Sequence, residues 1–173
     1  MNASFRNVAF ILATLFLGLG QIVFAQSIEQ EPVAILELGA AVSYSLNDDG
    51  AAAGPSFAVE FTPIKERLEL EAGVTPLFSA HATEWDTDLL FKKPWTLSRK
   101  VEFMAGIGPE WVHSGHAGAD VNALAGEGAL DFMFWPFRRR KFGLYIEPAY
   151  DRGFVYSHEQ SLGVSGGLLI ALP

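Results

Sequence analysis

The chain has 173 residues, no cysteine, 20 acidic against 12 basic side chains and a net charge of -8. One domain is the natural reading of that length, and disulfide or thiolate chemistry is excluded. The acidic balance argues against a nucleic-acid partner, which needs a basic face.

Residues 1–25 read as a cleaved secretory signal. Arg6 supplies a weakly basic start, "VAFILATLFLGLG" (8–20) is an unbroken apolar run, and Val23 and Ala25 stand at the small-residue positions before a cut after Ala25. A membrane anchor is the alternative. The run is short of the roughly 20 apolar residues that a spanning helix needs. The mature domain then covers 26–173, and no later stretch is long and apolar enough for such a helix. Yet half of the chain is hydrophobic and the mean hydropathy is +0.22.

Period-two alternation recurs in eight segments, the mark of strands with two unlike faces. "VAILELGAAVSYSL" (33–46) sets Leu36, Leu38, Val42 and Tyr44 against Glu37, Gly39 and Ser43. "PSFAVEFTP" (55–63) sets Phe57, Val59 and Phe61 against Ser56, Ala58 and Glu60. "RLELEAGVTPLF" (67–78) sets Leu68, Leu70 and Val74 against Glu69 and Glu71. "EWDTDLLFKKPW" (84–95) sets Trp85, Leu89, Phe91 and Trp95 against Asp86, Asp88 and Lys92. "VEFMAGIGPEW" (101–111) sets Phe103, Ile107 and Trp111 against Glu102 and Glu110. "NALAGEGALDFMF" (122–134) sets Leu130, Phe132 and Phe134 against Glu127 and Asp131. "FGLYIEPAY" (142–150) sets Leu144 and Ile146 against Tyr145 and Glu147, and "SLGVSGGLLIAL" (161–172) sets Val164, Leu168 and Ile170 against Gly163, Ser165 and Gly167.

Eight strands of about 9–11 residues match the length and smallest usual count of a membrane barrel. The make-up of the less apolar face decides its direction. It is Gly, Ala, Ser and Thr with about one acid per strand, which suits the crowded lumen of an eight-stranded barrel. The bulky Leu, Phe, Val and Trp face then meets lipid. Trp85, Trp95 and Trp111 fall near strand ends, where interfacial girdles lie, whereas Trp135 falls on the lumen side by parity. Short links at 64–67, 97–100 and 136–141 carry eight of the twelve basic residues. Longer links are expected at 47–54, 79–84, 114–120 and 151–160.

The signal, the alternation and the turn pattern together resemble small bacterial outer-membrane β-barrel proteins. The phrases "LLFKKPW", "EFMAGIGPEW" and "LYIEPAYDRGFVYSHEQSLGVSGGLLIALP" are similar to a poorly characterised group of them. The resemblance implies an all-β, eight-stranded antiparallel up-and-down transmembrane barrel in the outer membrane of the cell envelope. Such proteins commonly end in an aromatic residue; this chain ends in "LIALP", with Ile170 and Leu172 keeping the alternation.

The candidate site is a lumen charge network of Glu37, Glu60, Glu69, Glu71, Lys92, Glu102, Glu110, Glu127, Asp131 and Glu147, with Arg67 and Arg152 as further counter-charges. So many carboxylates in a narrow lumen must be hydrated, paired or protonated. They form either a packed plug or a cation-preferring path, and an eight-stranded barrel favours the plug. His81, His113, His116 and His158 could make a rim metal site with Glu84, Asp86 or Glu159. "YSHEQS" (156–161) invites a hydrolase reading, but His158 and Ser161 would face opposite ways on a strand. The expectation is a non-enzymatic, monomeric barrel without a cofactor or bound metal, its partner being outer-membrane lipid. The role would be structural, surface-interacting or porin-like minor transport. The alternatives are a barrel that modifies envelope lipid and a soluble periplasmic barrel binding an apolar ligand.

Overall fold

The computed structural model describes residues 32–173 except 48, 49, 81, 117, 118, 139 and 155–158, and the backbone alone at 116, 119 and 120. The signal-peptide segment 1–25 lies outside the described residues. Eight strands follow in order: β1 Ala34–Ser45, β2 Ala51–Ile64, β3 Leu68–Phe78, β4 Thr83–Thr96, β5 Val101–His116, β6 Ala119–Phe134, β7 Phe142–Gly153 and β8 Gln160–Leu172. Each pairs antiparallel with its chain neighbours, and β1 closes on β8 from Ala34↔Leu172 to Ser45↔Ser161. No sheet edge is left among these strands, so every strand has a hydrogen-bonding partner on both sides.

Parity holds through the barrel. Phe57, Phe61, Phe91, Ile107, Leu130, Phe132, Ile146 and Leu168 are exposed on the outside, Ile107 to 72 %. Glu37, Glu60, Glu71, Lys92, Asp131 and Glu147 are buried inside. This inverts the soluble arrangement, and it does not fit a water-soluble barrel with an apolar interior.

The links differ from expectation. They are 46–50, 79–82, 117–118 and 154–159 at one end and 65–67, 97–100 and 135–141 at the other. The expected long loop at 114–120 is instead a strand hairpin, with Ser114↔Val121, Gly115↔Asp120 and His116↔Ala119 paired. The alternation of bulky residues fades there, but backbone pairing runs on through small ones. The two ends therefore differ in charge rather than in length. Lys65, Arg67, Arg99, Lys100, Arg138, Arg140 and Lys141 belong to the turn end, where β1 starts and β8 finishes. The other end, the loop end, has no Lys or Arg in its links.

The outer surface carries aromatic residues toward both ends. Trp95 stacks on Phe103 at 5.5 Å, and Phe103 meets Phe132 at 4.9 Å, near the turn end. Trp85 and Trp111 lie exposed toward the loop end. Trp85 and Trp95 are ten residues apart on β4. At about 3.3 Å per residue and a tilt near 40°, that is a rise of about 25 Å, the height of the apolar band of a membrane barrel. Lys93 is the one base on the outer row of β4. Its stem runs past Trp95, with the ammonium 5.8 Å from the ring centroid and 2.5 Å from the Glu66 carbonyl, so the charge reaches the turn.

Candidate functional site

The lumen has three layers. At the turn end it is apolar. Met104, Met133, Trp135, Tyr145 and Leu169 pack together, with Ile35 and Ala171 against them. Trp135 is 1 % exposed. It lies just past β6, and its backbone N–H donates to the Lys100 carbonyl at 2.7 Å, which turns the indole inward. Its Nε1–H donates to Glu102 Oε2 at 3.0 Å. Arg140 reaches back from the turn to pair with Glu102 Oε1. Arg140 has φ 41°, a left-handed conformation that doubles the chain back beneath the barrel. So Trp135 is a stopper tied by a carboxylate, and Glu102 serves that stopper rather than a charge path.

The middle layer is ionic. Lys92 on β4 is 1 % exposed. Its ammonium donates to Glu71 and Glu147 and lies 3.5 Å from Asp131 Oδ2. Glu71 is on β3, Asp131 on β6 and Glu147 on β7, so one side chain ties four strands across the barrel. The stem needs room, and Gly106 provides it: a Cβ there would stand 2.6 Å from Lys92 Cγ. Acids outnumber the base. Glu37 Oε1, both Glu60 oxygens and Asp131 Oδ1 are buried with no hydrogen-bond partner among the described residues. Glu69, opposite Lys92 on β3, is also buried.

The loop-end layer is acidic and less tightly filled. A cavity of about 70 Å³ runs there, lined by Glu110, Glu127, Asp151, Asp86 and Asp88, with Glu37, Glu71 and Glu147 at its inner part. That volume holds a few waters, since one needs about 10–15 Å³ of such space. No Lys, Arg or His lines it among the described residues.

Every acid of the expected network points inward, but its counter-charges differ from the expected ones. Arg67 is exposed in the β2–β3 turn, and Arg152 is exposed on the outward parity of β7. Neither enters the lumen. Arg140, which was not expected there, does. Asp86, Asp88 and Asp151 belong to the inward set as well, and their strand parity would have shown it. His113 faces outward, its Nδ1 3.0 Å from Asn122 Oδ1 and its ring 6.0 Å from Trp111. It is thus on the opposite face from Glu84 and Asp86 and cannot share an ion with them. His81, His158 and the His116 side chain lie outside the described residues. Ser161 donates to Asp151 Oδ2 at 3.0 Å, so its hydroxyl is held by a carboxylate.

No protein-family model matches the sequence, and neither does any curated protein. Solved structures do resemble it. Neisserial surface protein A superposes with a TM-score of 0.66 at 12 % identity, over 80 % of this chain and 97 % of that one. Ail, the attachment invasion locus protein of Yersinia pestis, gives 0.56 at 10 % identity, over 82 % and 99 %. The outer membrane protein OprG from Pseudomonas aeruginosa gives 0.54 at 9 % identity, over 84 % and 96 %. At such identities the likeness is one of fold. Taken with the closed sheet and the inverted faces, the chain has the fold of the small eight-stranded outer-membrane β-barrel proteins.

Proposed function

We propose that the protein is a non-enzymatic, sealed barrel of the bacterial outer membrane, with its turn end facing the periplasm and its loop end outward. The observation that carries this reading is the inversion of faces. A belt of Phe, Leu, Ile and Val encircles a buried ionic lumen. An apolar surface of that extent is untenable in water and is what hydrocarbon requires. The neighbours in fold are surface and outer-membrane proteins by name, which supports the location. The orientation rests on β1 starting and β8 finishing at the turn end, so the chain enters and leaves the barrel on the side it would reach first after export.

A structural or surface role fits better than transport. The lumen is blocked twice, by Trp135 with its apolar neighbours and by Lys92 with its carboxylates. A role in binding polyanions is not supported. One structure of Ail holds a heparin analogue, sucrose octasulfate, whereas the loop end of this chain lacks basic residues in its links. A lipid-modifying enzyme would need an activated nucleophile, and Ser161 is the one hydroxyl of the "YSHEQS" segment within the described residues, held by Asp151.

Expression of the full chain in a Gram-negative host tests the reading. The protein should sediment with outer membranes, resist extraction by salt and migrate faster on a gel before boiling than after. Recovery in the soluble periplasmic fraction without detergent would overturn it.

A further inference from the structure

The loop-end chamber holds acids that the sealed-barrel reading does not use. Glu110 on β5, Glu127 on β6 and Asp151 on β7 come together there, each offering one carboxylate oxygen within 4.8 Å of the others. Their register explains the meeting, since Glu127 pairs with both Gly108 and Asp151. Ligands at about 2.4 Å from one ion lie at most about 4.8 Å apart, so the three oxygens suit a single calcium-sized cation.

Two further observations separate this triad from an ordinary acidic patch. Glu110 is only 6 % exposed, yet it has no hydrogen bond and no ion-pair partner among the described residues, and it lines the cavity. Its carboxylate opens on the cavity, where a cation would give it the partner that the protein does not. Asp86 Oδ1, Asp88 Oδ1 and Asp151 Oδ1 are likewise buried without a hydrogen-bond partner. The Lys92 ammonium is committed to Glu71, Glu147 and Asp131 in the layer below. Among the described residues the chamber thus carries several acids and no base, with a volume of about 70 Å³ for an ion and its remaining waters.

We infer that Glu110, Glu127 and Asp151 form a blind-ended binding site for a hard divalent cation of the calcium class, reached from the loop end. The all-oxygen donor set selects Ca²⁺ or Mg²⁺ over Zn²⁺ or Cu²⁺, which favour imidazole or thiolate. Ca²⁺ is preferred to Mg²⁺. It accepts several carboxylates at flexible angles, whereas Mg²⁺ demands a near-ideal octahedron and gives up its waters reluctantly. A cation held here would join β5, β6 and β7 at the loop end as Lys92 joins strands below.

The test uses the purified full-length barrel in detergent micelles, titrated calorimetrically with calcium chloride and then with magnesium chloride at constant ionic strength. One saturable site is expected, tighter for Ca²⁺. The double variant Glu110→Gln with Asp151→Asn should bind at least tenfold more weakly, and Glu66→Gln, in an exposed turn, should bind as the parent does. Calcium should also raise the unfolding temperature of the parent and not that of the double variant. Should that variant fail to fold, Glu127→Gln alone carries the same expectation with a smaller factor. No saturable binding by the parent overturns the inference. So does undiminished binding by the variants, or an equal effect of sodium at matched ionic strength.

Discussion

Lys92 and Gly106 face each other across the β4–β5 ladder, and a methyl group on Gly106 would press into the lysine stem at 2.6 Å from Cγ. The glycine is therefore the space in which the central cation lies. Gly106→Ala should destabilise the barrel by about 1–3 kcal/mol, the range for overpacking a filled interior. Gly128→Ala is the control, because its Cβ would meet nothing nearer than Ile107 Cγ2 at 4.0 Å. That change should be neutral or stabilise by up to about 1 kcal/mol, since glycine weakens a strand. Urea unfolding in lipid vesicles measures both.

Removing the cation itself should cost more. Lys92→Met keeps the stem volume but leaves Glu71, Glu147 and Asp131 facing one another in a buried layer. Loss of about 3–5 kcal/mol is expected, as when one member of a buried ion cluster is deleted. Pairing Lys92→Met with Glu71→Gln and Glu147→Gln should restore part of it, because the orphaned charges leave together. A single change at Lys92 costing under about 1 kcal/mol would mean that the ammonium is not what offsets these acids.

Trp135→Phe should keep the stopper's bulk and lose the Nε1–H bond to Glu102, a bond to a charged acceptor worth about 1.5–3 kcal/mol. Trp135→Ala should cost about 3–5 kcal/mol, the usual price of emptying a buried aromatic site. Neither variant should conduct in planar bilayers, because the Lys92 layer still closes the lumen. The parent should not conduct either. Steady currents from the parent would contradict a doubly sealed barrel.

The fold was legible because period two is the pattern of a sheet with unlike faces, and eight segments keep it. Pairing beyond those segments was not. Strands β2, β5 and β6 continue through Ala51–Gly54, Ser114–His116 and Ala119–Val121, where small residues carry little contrast between faces while their backbones still pair. The acids of the lumen followed from parity alone. Arg152 was misplaced for want of the same rule, since it keeps the outward parity of β7. Arg140 was invisible for a different reason. Its approach to Glu102 depends on a left-handed backbone turn that no spacing announces. The inward Trp135 was read correctly by parity, but its purpose became clear only with Met104, Met133, Tyr145 and Leu169 around it.

On the outer face, Ile107→Arg should be poorly tolerated. Ile107 lies mid-strand on β5, 72 % exposed among apolar neighbours. A charge there should cost about 2–4 kcal/mol in a bilayer and fall toward zero near the interfaces. Leu124→Arg, on the same outer face beside Trp111 toward the loop end of β6, should therefore cost far less. Equal costs in vesicle unfolding would mean that the belt does not span the hydrocarbon.

The chain has no cysteine, so single spin labels can be placed one at a time along β5 from position 101 to 111 and read in lipid vesicles. Collisions with oxygen, which dissolves in hydrocarbon, should be frequent at 103, 105, 107 and 109. They should be rare at 104, 106, 108 and 110, giving a strict period of two. A pattern of the opposite phase, or oxygen access without alternation, would contradict a lipid-facing apolar belt around a closed ionic lumen.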